Sequence, residues 1–470
     1  MSTLDKLWNK NTDKTVEVMP EETMGFIRSL WQAAQHLLTA SGANILGPVL
    51  MHLDPSMALF TSGIGTLVYT GFVGVPAYMG TSFSYIATIA YIMGAPWGGQ
   101  AMVAGGIIAS GLVSILVGLI VAVIGYRWIN ILMPPVILAM VVIAIGFLLA
   151  PTAFSMAMTN LPLAVLTFGL GVIFATKFSQ GSIFSALPVL LSIVIGYLVA
   201  LILGAAGVMP PVDMSQVNAA PFFTLPRLIV PVFDPRAYIP MALVTFTAVV
   251  MEHLGHLKGT SSIVGRDYIP RTARSLIGDG IANALSWSGT PSVTYGENMG
   301  VFAITRVFSL KVMFLAGLLA VAAGFLGKLS PLILSIPSGV LGGAVFLLFG
   351  MIAWSGFNLL QTEKVDMSKK TNQVMIASMG TMMIAGIVID YLRSPLSAIK
   401  PEELAAAPAT VATAVKGLQA FVGALHIGTF DMPALVAVAL LGIVLNLVLN
   451  WGEIVAEVRT RTQVVTQPAK

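Results

Sequence analysis

Apolar runs of about 20 residues, free of charge and separated by short polar connections, recur along the whole chain. A helix of that length crosses the hydrocarbon core of a bilayer, whereas a barrel strand would show roughly ten residues of alternating hydrophobicity. The pattern predicts fourteen spans, near 28–50, 55–75, 83–95, 99–124, 128–150, 162–178, 181–207, 237–258, 273–289, 298–308, 309–328, 331–357, 372–391 and 434–452. The third and tenth are half-length. Each follows a proline, Pro76 or Pro291, and a short extended run, and in the second case Ser292, Val293, Thr294 and Tyr295 lead through Gly296 to Glu297. Chain that turns from strand to helix at membrane depth leaves N–H groups without partners, so it must line a cavity or be packed in protein. Two interrupted segments at corresponding places in two halves point to a transporter binding site.

Composition sharpens this to an all-α integral membrane protein. The chain is 57% hydrophobic and 9% charged, where a soluble domain carries about a quarter charged residues. It has no cysteine, hence no disulfide and no thiolate metal site. The first 25 residues carry both signs of charge, unlike a cleaved leader, so the first span is expected to direct insertion. A net charge of +4 reflects topology and not nucleic-acid binding. With the N-terminus in the cytoplasm, eighteen Lys and Arg fall inside and six outside, which predicts fourteen spans with both termini cytoplasmic.

Seven spans per half is odd, so the second half must be inverted relative to the first. Gln35-His36-Leu37 matches Glu252-His253-Leu254 at an offset of 217, and Pro76 matches Pro291 at 215. The second match sets Ser82 opposite Glu297 and Phe83 opposite Asn298. Two inverted seven-segment repeats are therefore expected, with half-helices preceded by short strands in segments 3 and 10. Gly98, Gly99, Gly105, Gly106 and Gly111 in the fourth span would let a neighbouring helix approach closely. Residues 208–236 form an external loop, 394–433 a second outside connection that could hold an interfacial helix, and 453–470 a cytoplasmic tail.

Acids inside the predicted spans are few: Glu252, Asp279 and Glu297, with Asp390 at a helix end. Each is costly in a bilayer and should face a cavity or a partner. Glu252 and His256 are four apart and share a helical face. Glu252 is a candidate for substrate contact and proton carriage, because desolvation at mid-helix disfavours its charged form; the bland reading is a buried acid bonded to His36, His253 or the Asp279 neighbourhood. Glu297 stands at a half-helix start, where the helix dipole favours its charge; a simple cap would explain it, but not the matching half-helix at Ser82 and Phe83. Asp279 could bond a neighbouring helix or couple protons, and His36 reads first as a satisfied interior histidine that steadies the site.

Two carboxylates, free N–H groups at half-helix starts, and Phe83, Tyr85 and Tyr295 nearby suit a small planar heterocycle with alternating N–H and C=O groups. A metal cation would want more oxygens and no aromatic wall, so no metal and no cofactor beyond a coupling proton are expected. An inorganic anion would be repelled. A membrane-embedded enzyme would need a nucleophile and base or a metal trio, and a scaffold would not need paired half-helices.

Five stretches carry a resemblance: Q-H-L-L-T-A-S-G-A from Gln35, F-T-S-G-I-G-T-L from Phe60, P-A-Y-M-G-T-S-F from Pro76, E-H-L-G-H-L from Glu252 and T-Y-G-E-N-M-G-V-F-A-I-T-R from Thr294. Together they resemble the nucleobase and ascorbate transporter family (nucleobase:cation symporter-2), most closely its bacterial uracil permease branch. The family signature is met by Glu297, Asn298, Gly300, Thr305 and Arg306. The resemblance implies that Glu252 and Glu297 hydrogen-bond the base, that backbone at Phe83 and Gly296 contributes, and that His256 lies within a water-mediated contact. A glutamate at the signature's first position goes with uracil-type carriers, a glutamine more often with xanthine or urate carriers. The family plan further implies a core, 26–124 and 237–328, moving against a gate, 125–207 and 329–452, through which relatives dimerise. The expectation is proton-coupled uptake of uracil or a related pyrimidine across a bacterial inner membrane. Substrate-binding candidates are Glu252, Glu297, Phe83, Gly296, His256, Ser82 and Tyr295; proton-coupling candidates are Glu252, His256, Asp279 and His36. Its partners would be the nucleobase, the lipid bilayer and a second copy. A xanthine-type purine symporter, or an anion transporter of the same plan, is the alternative.

Overall fold

The computed structural model describes residues 9–10, 17–178, 183–398, 408–422, 426–427, 430–431 and 433–455. Lys400, Glu402, Glu403, most of the segment 1–25 and the tail beyond 455 lie outside the described residues. The chain is predominantly helical and clusters into two units, one of Met1–Ile124 with Thr152–Phe349, the other of Gly125–Pro151 with Gly350–Lys470. The core segments expected at 26–124 and 237–328 fall in the first unit; those expected for the gate divide between the two.

In the first unit, α1 (Phe26–Leu50) and α2 (Pro55–Val73) precede a strand β1 (Met79–Thr81), a single tight turn at Phe83–Tyr85, the half-helix α3 (Ile86–Gly94) and α4 (Gln100–Ile124). Then come α5 (Leu161–Lys177), α6 (Pro188–Ala205), α7 (Pro235–Val264), α8 (Thr272–Leu285), β2 (Ser292–Thr294), the half-helix α9 (Glu297–Thr305) and α10 (Leu310–Gly324). Local sequence explains the ends of α2 and α7. Asp54 and Asp234 cap them, accepting from the N–H groups of Ser56 (2.7 Å) and Arg236 (2.9 Å), and Pro55 and Pro235 take the first helical position, where a missing N–H costs nothing. Gly74 and Gly265, at φ 69° and 70°, stop them. Around Asp234 the Arg236 guanidinium, donating at 2.7 Å, holds the carboxyl below the usual carboxylate range. Within α7 a π-turn at Thr245–Val249 widens the helix one turn before Glu252.

Small residues bring the helices together. A Cβ on Gly111 of α4 would strike the Gly280 carbonyl of α8, and one on Gly280 would strike the Gly111 carbonyl, so the two backbones cross where only glycine fits. The expectation of close approach along the fourth span is thus met at this crossing. Outward, Leu112, Leu116, Leu119 and Val123 of α4 are all more than half exposed, the stripe a helix presents to lipid. At the far end of α9 the chain from Glu17 to Thr23 straps the connection to α10. Val18 donates to the Arg306 carbonyl (3.0 Å) and accepts from Phe308 N–H (2.7 Å), while Glu17 and Glu21 pair with Arg306 and Arg266.

The second unit holds helices at Arg127–Leu132, Pro135–Leu148, Lys370–Ala398, Ala409–Val422 and Ala434–Leu449. The fifth span was expected unbroken from 128; it breaks at Met133, because Pro134 and Pro135 supply no N–H to the preceding turn. Asn446 bridges the gap, its Nδ2 donating to the freed Ile131 carbonyl at 2.8 Å. Seven helices among the described residues are long and apolar enough to cross a membrane by length and composition, and four shorter apolar ones accompany them.

Candidate functional site

The two interrupted segments meet. β1 and β2 pair antiparallel, Met79 with Thr294, Gly80 with Val293 and Thr81 with Ser292. Two further bonds extend the ladder, Ser82 N–H to the Pro291 carbonyl and Tyr295 N–H to the Tyr78 carbonyl, both 2.9 Å. Three of the outward N–H groups, which neither strand can satisfy, are taken by side chains: Asn44 Oδ1 on α1 accepts from Thr81 N–H, Asn283 Oδ1 on α8 from Ser292 N–H (both 3.0 Å) and Thr66 Oγ1 on α2 from Met79 N–H (2.9 Å). A strand pair buried among helices is stable only with that accounting complete. Because the strands run antiparallel, paired residues do not keep one offset: Met79 and Thr294 differ by 215, Gly80 and Val293 by 213. Beyond the three pairs Ser82 lies across from Pro291 and Tyr295 across from Tyr78, so the two half-helices leave from opposite ends of the strand pair.

The half-helices begin just beyond this ladder. Glu252, on α7 seven residues past the start of the π-turn, accepts from Ser84 Oγ at 3.1 Å and more weakly from Ser82 Oγ at 3.5 Å. Its carboxylate and that of Glu297 are near enough to feel each other's charge. Glu297 occupies the first turn of α9 behind Gly296 at the cap position, exposed and without a hydrogen-bonding side-chain partner among the described residues. His256 bonds Thr294 Oγ1 through Nδ1 at 3.2 Å, and its Nε2 lies 3.0 Å from where a Cβ on Gly296 would sit. A cavity of about 10 Å³ bounded by Pro76, His256, Thr294, Tyr295 and Met299 lies beside them, borderline room for one water. Phe83 is buried at the start of its half-helix with its ring edge-on to Phe349, centroids 6.3 Å apart.

Other candidates support these groups. The Tyr295 hydroxyl lies 3.0 Å from Asn44 Oδ1 and 2.9 Å from the Thr81 carbonyl, so this residue locks the sheet. His36 is fully buried and accepts at Nδ1 from Asn298 Nδ2 (3.0 Å), which also donates to the His36 carbonyl, pinning α9 to α1. Asp279 is buried, with Oδ1 3.2 Å from His253 Nδ1. Ser84, Asn44, Thr66, Asn283 and Thr294, which make these contacts, carried no role in the sequence reading. No pattern in the sequence pairs Ser84 with Glu252, 168 positions away; the fold alone joins them.

Residues 28–392 match the model described as Permease family, that of the nucleobase:cation symporter-2 transporters. The chain belongs to that family. It is 41% identical over 379 residues to a uracil permease of Bacillus caldolyticus, covering 76% of this chain and 84% of the relative. It is 38% identical over 383 residues to a uracil permease of Bacillus subtilis (76% and 85%), and 32% identical over 410 residues to one of Escherichia coli K12 (79% and 92%). The fold is similar to the transmembrane domain of the cyanobacterial bicarbonate transporter BicA, at a TM-score of 0.54 and 16% identity, covering 71% of this chain and 93% of that one. It is also similar to SLC26A9, at 0.58 and 14%, covering 77% and 62%. The permease is thus a multi-pass membrane transporter and not an enzyme, with a fold shared by transporters of unlike sequence.

Proposed function

We propose that this permease carries uracil or a closely related pyrimidine into the cell together with a proton. The observation that carries the reading is the meeting of two acids at two half-helix starts: Glu252 held by Ser84 on one side, Glu297 behind Gly296 on the other. Both carboxylates accept hydrogen bonds and would take the ring N–H groups of a pyrimidine, while backbone N–H groups at Phe83 and Gly296 offer donors to ring carbonyls. The uracil permeases that the chain resembles support this choice over a purine. Two acids at the same place disfavour an anion, despite the shared fold.

In this reading Glu252 carries the proton. It lies mid-helix, where an ionised carboxylate is costly, and protonation removes a buried charge before the neutral base is carried across. In the same reading the fourteen segments of the inverted repeat would be the seven long spans, the four shorter apolar helices and α1, α8 and α9. Core 26–124 and 237–328, gate 125–207 and 329–452, cytoplasmic termini, the bacterial inner membrane and a dimer through the gate belong to the same reading.

Uptake of labelled uracil into proteoliposomes with an imposed pH gradient tests it. Glu297→Gln is expected to weaken uracil binding about ten- to a hundredfold, the usual loss for a charged hydrogen bond. Glu252→Gln is expected to abolish acceleration by the gradient. Wild-type uptake indifferent to the gradient, or full transport by both variants, would overturn the reading.

A further inference from the structure

We propose that Thr294 is a positioning residue: its hydroxyl closes a one-way hydrogen-bond chain from Tyr69 to His256 and thereby holds the His256 proton on Nε2, facing Gly296. Five side chains from four elements form the chain. Tyr69 Oη lies 2.7 Å from Ser275 Oγ, which lies 2.7 Å from His253 Nε2. His253 Nδ1 lies 3.2 Å from Thr294 Oγ1, which lies 3.2 Å from His256 Nδ1. Tyr69, Ser275, His253 and Thr294 are all buried.

Counting hydrogens sets the direction. Ser275 is the hydrogen-bond partner of the buried Tyr69 hydroxyl among the described residues, so Tyr69 must donate to it or leave its own hydrogen unpaired. Ser275 has then accepted, and its single hydrogen goes to His253 Nε2. A neutral His253 with Nε2 accepting carries its proton on Nδ1, which also faces the Asp279 carboxylate at 3.2 Å. That N–H donates to Thr294, whose hydroxyl hydrogen is left for His256 Nδ1. His256 can then hold its proton only on Nε2, 3.0 Å from the Cβ position of Gly296 at the start of α9.

The consequence rests on the proposed function. A donor fixed at Nε2 serves a ring carbonyl, directly or through one water, at the half-helix start where Glu297 stands. A histidine free to change tautomer would present a lone pair half the time and lose that contact.

Nitrogen-15 spectra of the full-length protein labelled at histidine read the tautomer, with the His256 signal assigned by its loss in His256→Gln. The wild type should show Nδ1 unprotonated and Nε2 protonated. Thr294→Val should give a mixture and weaken uracil binding about tenfold, and Thr294→Ser should restore both. Tyr69→Phe keeps the ring in place, removes the first hydrogen and should disturb the same His256 signal from two helices away. A wild-type His256 protonated on Nδ1, or a signal unchanged in both Thr294→Val and Tyr69→Phe, overturns the inference. Failure of the wild type to bind uracil would instead strike the proposed function, leaving the tautomer measurement to decide this one.

Discussion

Glu252 and Glu297 are the same residue type in different surroundings. Glu252 is held from outside its own helix by a serine hydroxyl, whereas Glu297 has only the first turn of α9 beneath it. The first arrangement ties the acid to the opposite half-helix, so a change of charge at Glu252 is felt at Ser84 directly. Gly80 shows how little slack the surrounding sheet allows. A Cβ there would fall inside the Tyr295 ring, whose hydroxyl is already committed to Asn44 and Thr81. Gly80→Ala is expected to destabilise the protein by about 1–3 kcal/mol, the usual cost of overpacking, and to weaken uracil binding. Thermal unfolding of the purified variant checks this; a melting temperature equal to that of the wild type would show that the ring moves aside freely.

Among elements, the two half-helices depend on groups that belong to other helices. Their strands are three residues long, too short to stand without Asn44, Asn283 and Thr66 taking the unpaired N–H groups. At the N-terminal end of α7, Asp234 is both helix cap and partner of Arg236, which keeps its carboxyl below the ordinary range. A carboxyl lowered on folding contributes stability that is present above its unfolded value of about 4 and is lost as pH falls through the folded value. Melting temperature measured between pH 6 and pH 3 should therefore fall less steeply for Asp234→Asn than for the wild type. Asparagine still caps the helix but forms no ion pair with Arg236, so the two should differ most at pH 6 and converge towards pH 3. Parallel curves would remove this acid from the pH response.

For the whole molecule, orientation in the membrane is the open quantity, and the absence of cysteine makes it accessible to experiment. The basic-residue bias predicts that Lys311 and Lys364 face the cytoplasm and Arg227 and Lys328 the outside. Single cysteines introduced at these positions should react with an impermeant maleimide from opposite sides of sealed vesicles. Labelling of all four from one side would refute fourteen spans with both termini cytoplasmic.

Much of this was legible in the chain itself. Apolar runs identified the helices, because a bilayer admits few other structures; prolines and short extended runs marked the two broken segments; and acids in apolar surroundings marked the site, because their cost requires a use. What periodicity records is which face of an element is polar, not which two polar faces will meet. Ser84 and Glu252 are 168 positions apart, and Tyr69 and Ser275 are 206. Only the tertiary fold joined them, by pairing the two strands antiparallel, Met79 with Thr294 and Thr81 with Ser292. That alignment is set by backbone hydrogen bonds, which every residue but proline can make and which therefore leave little trace in residue identity.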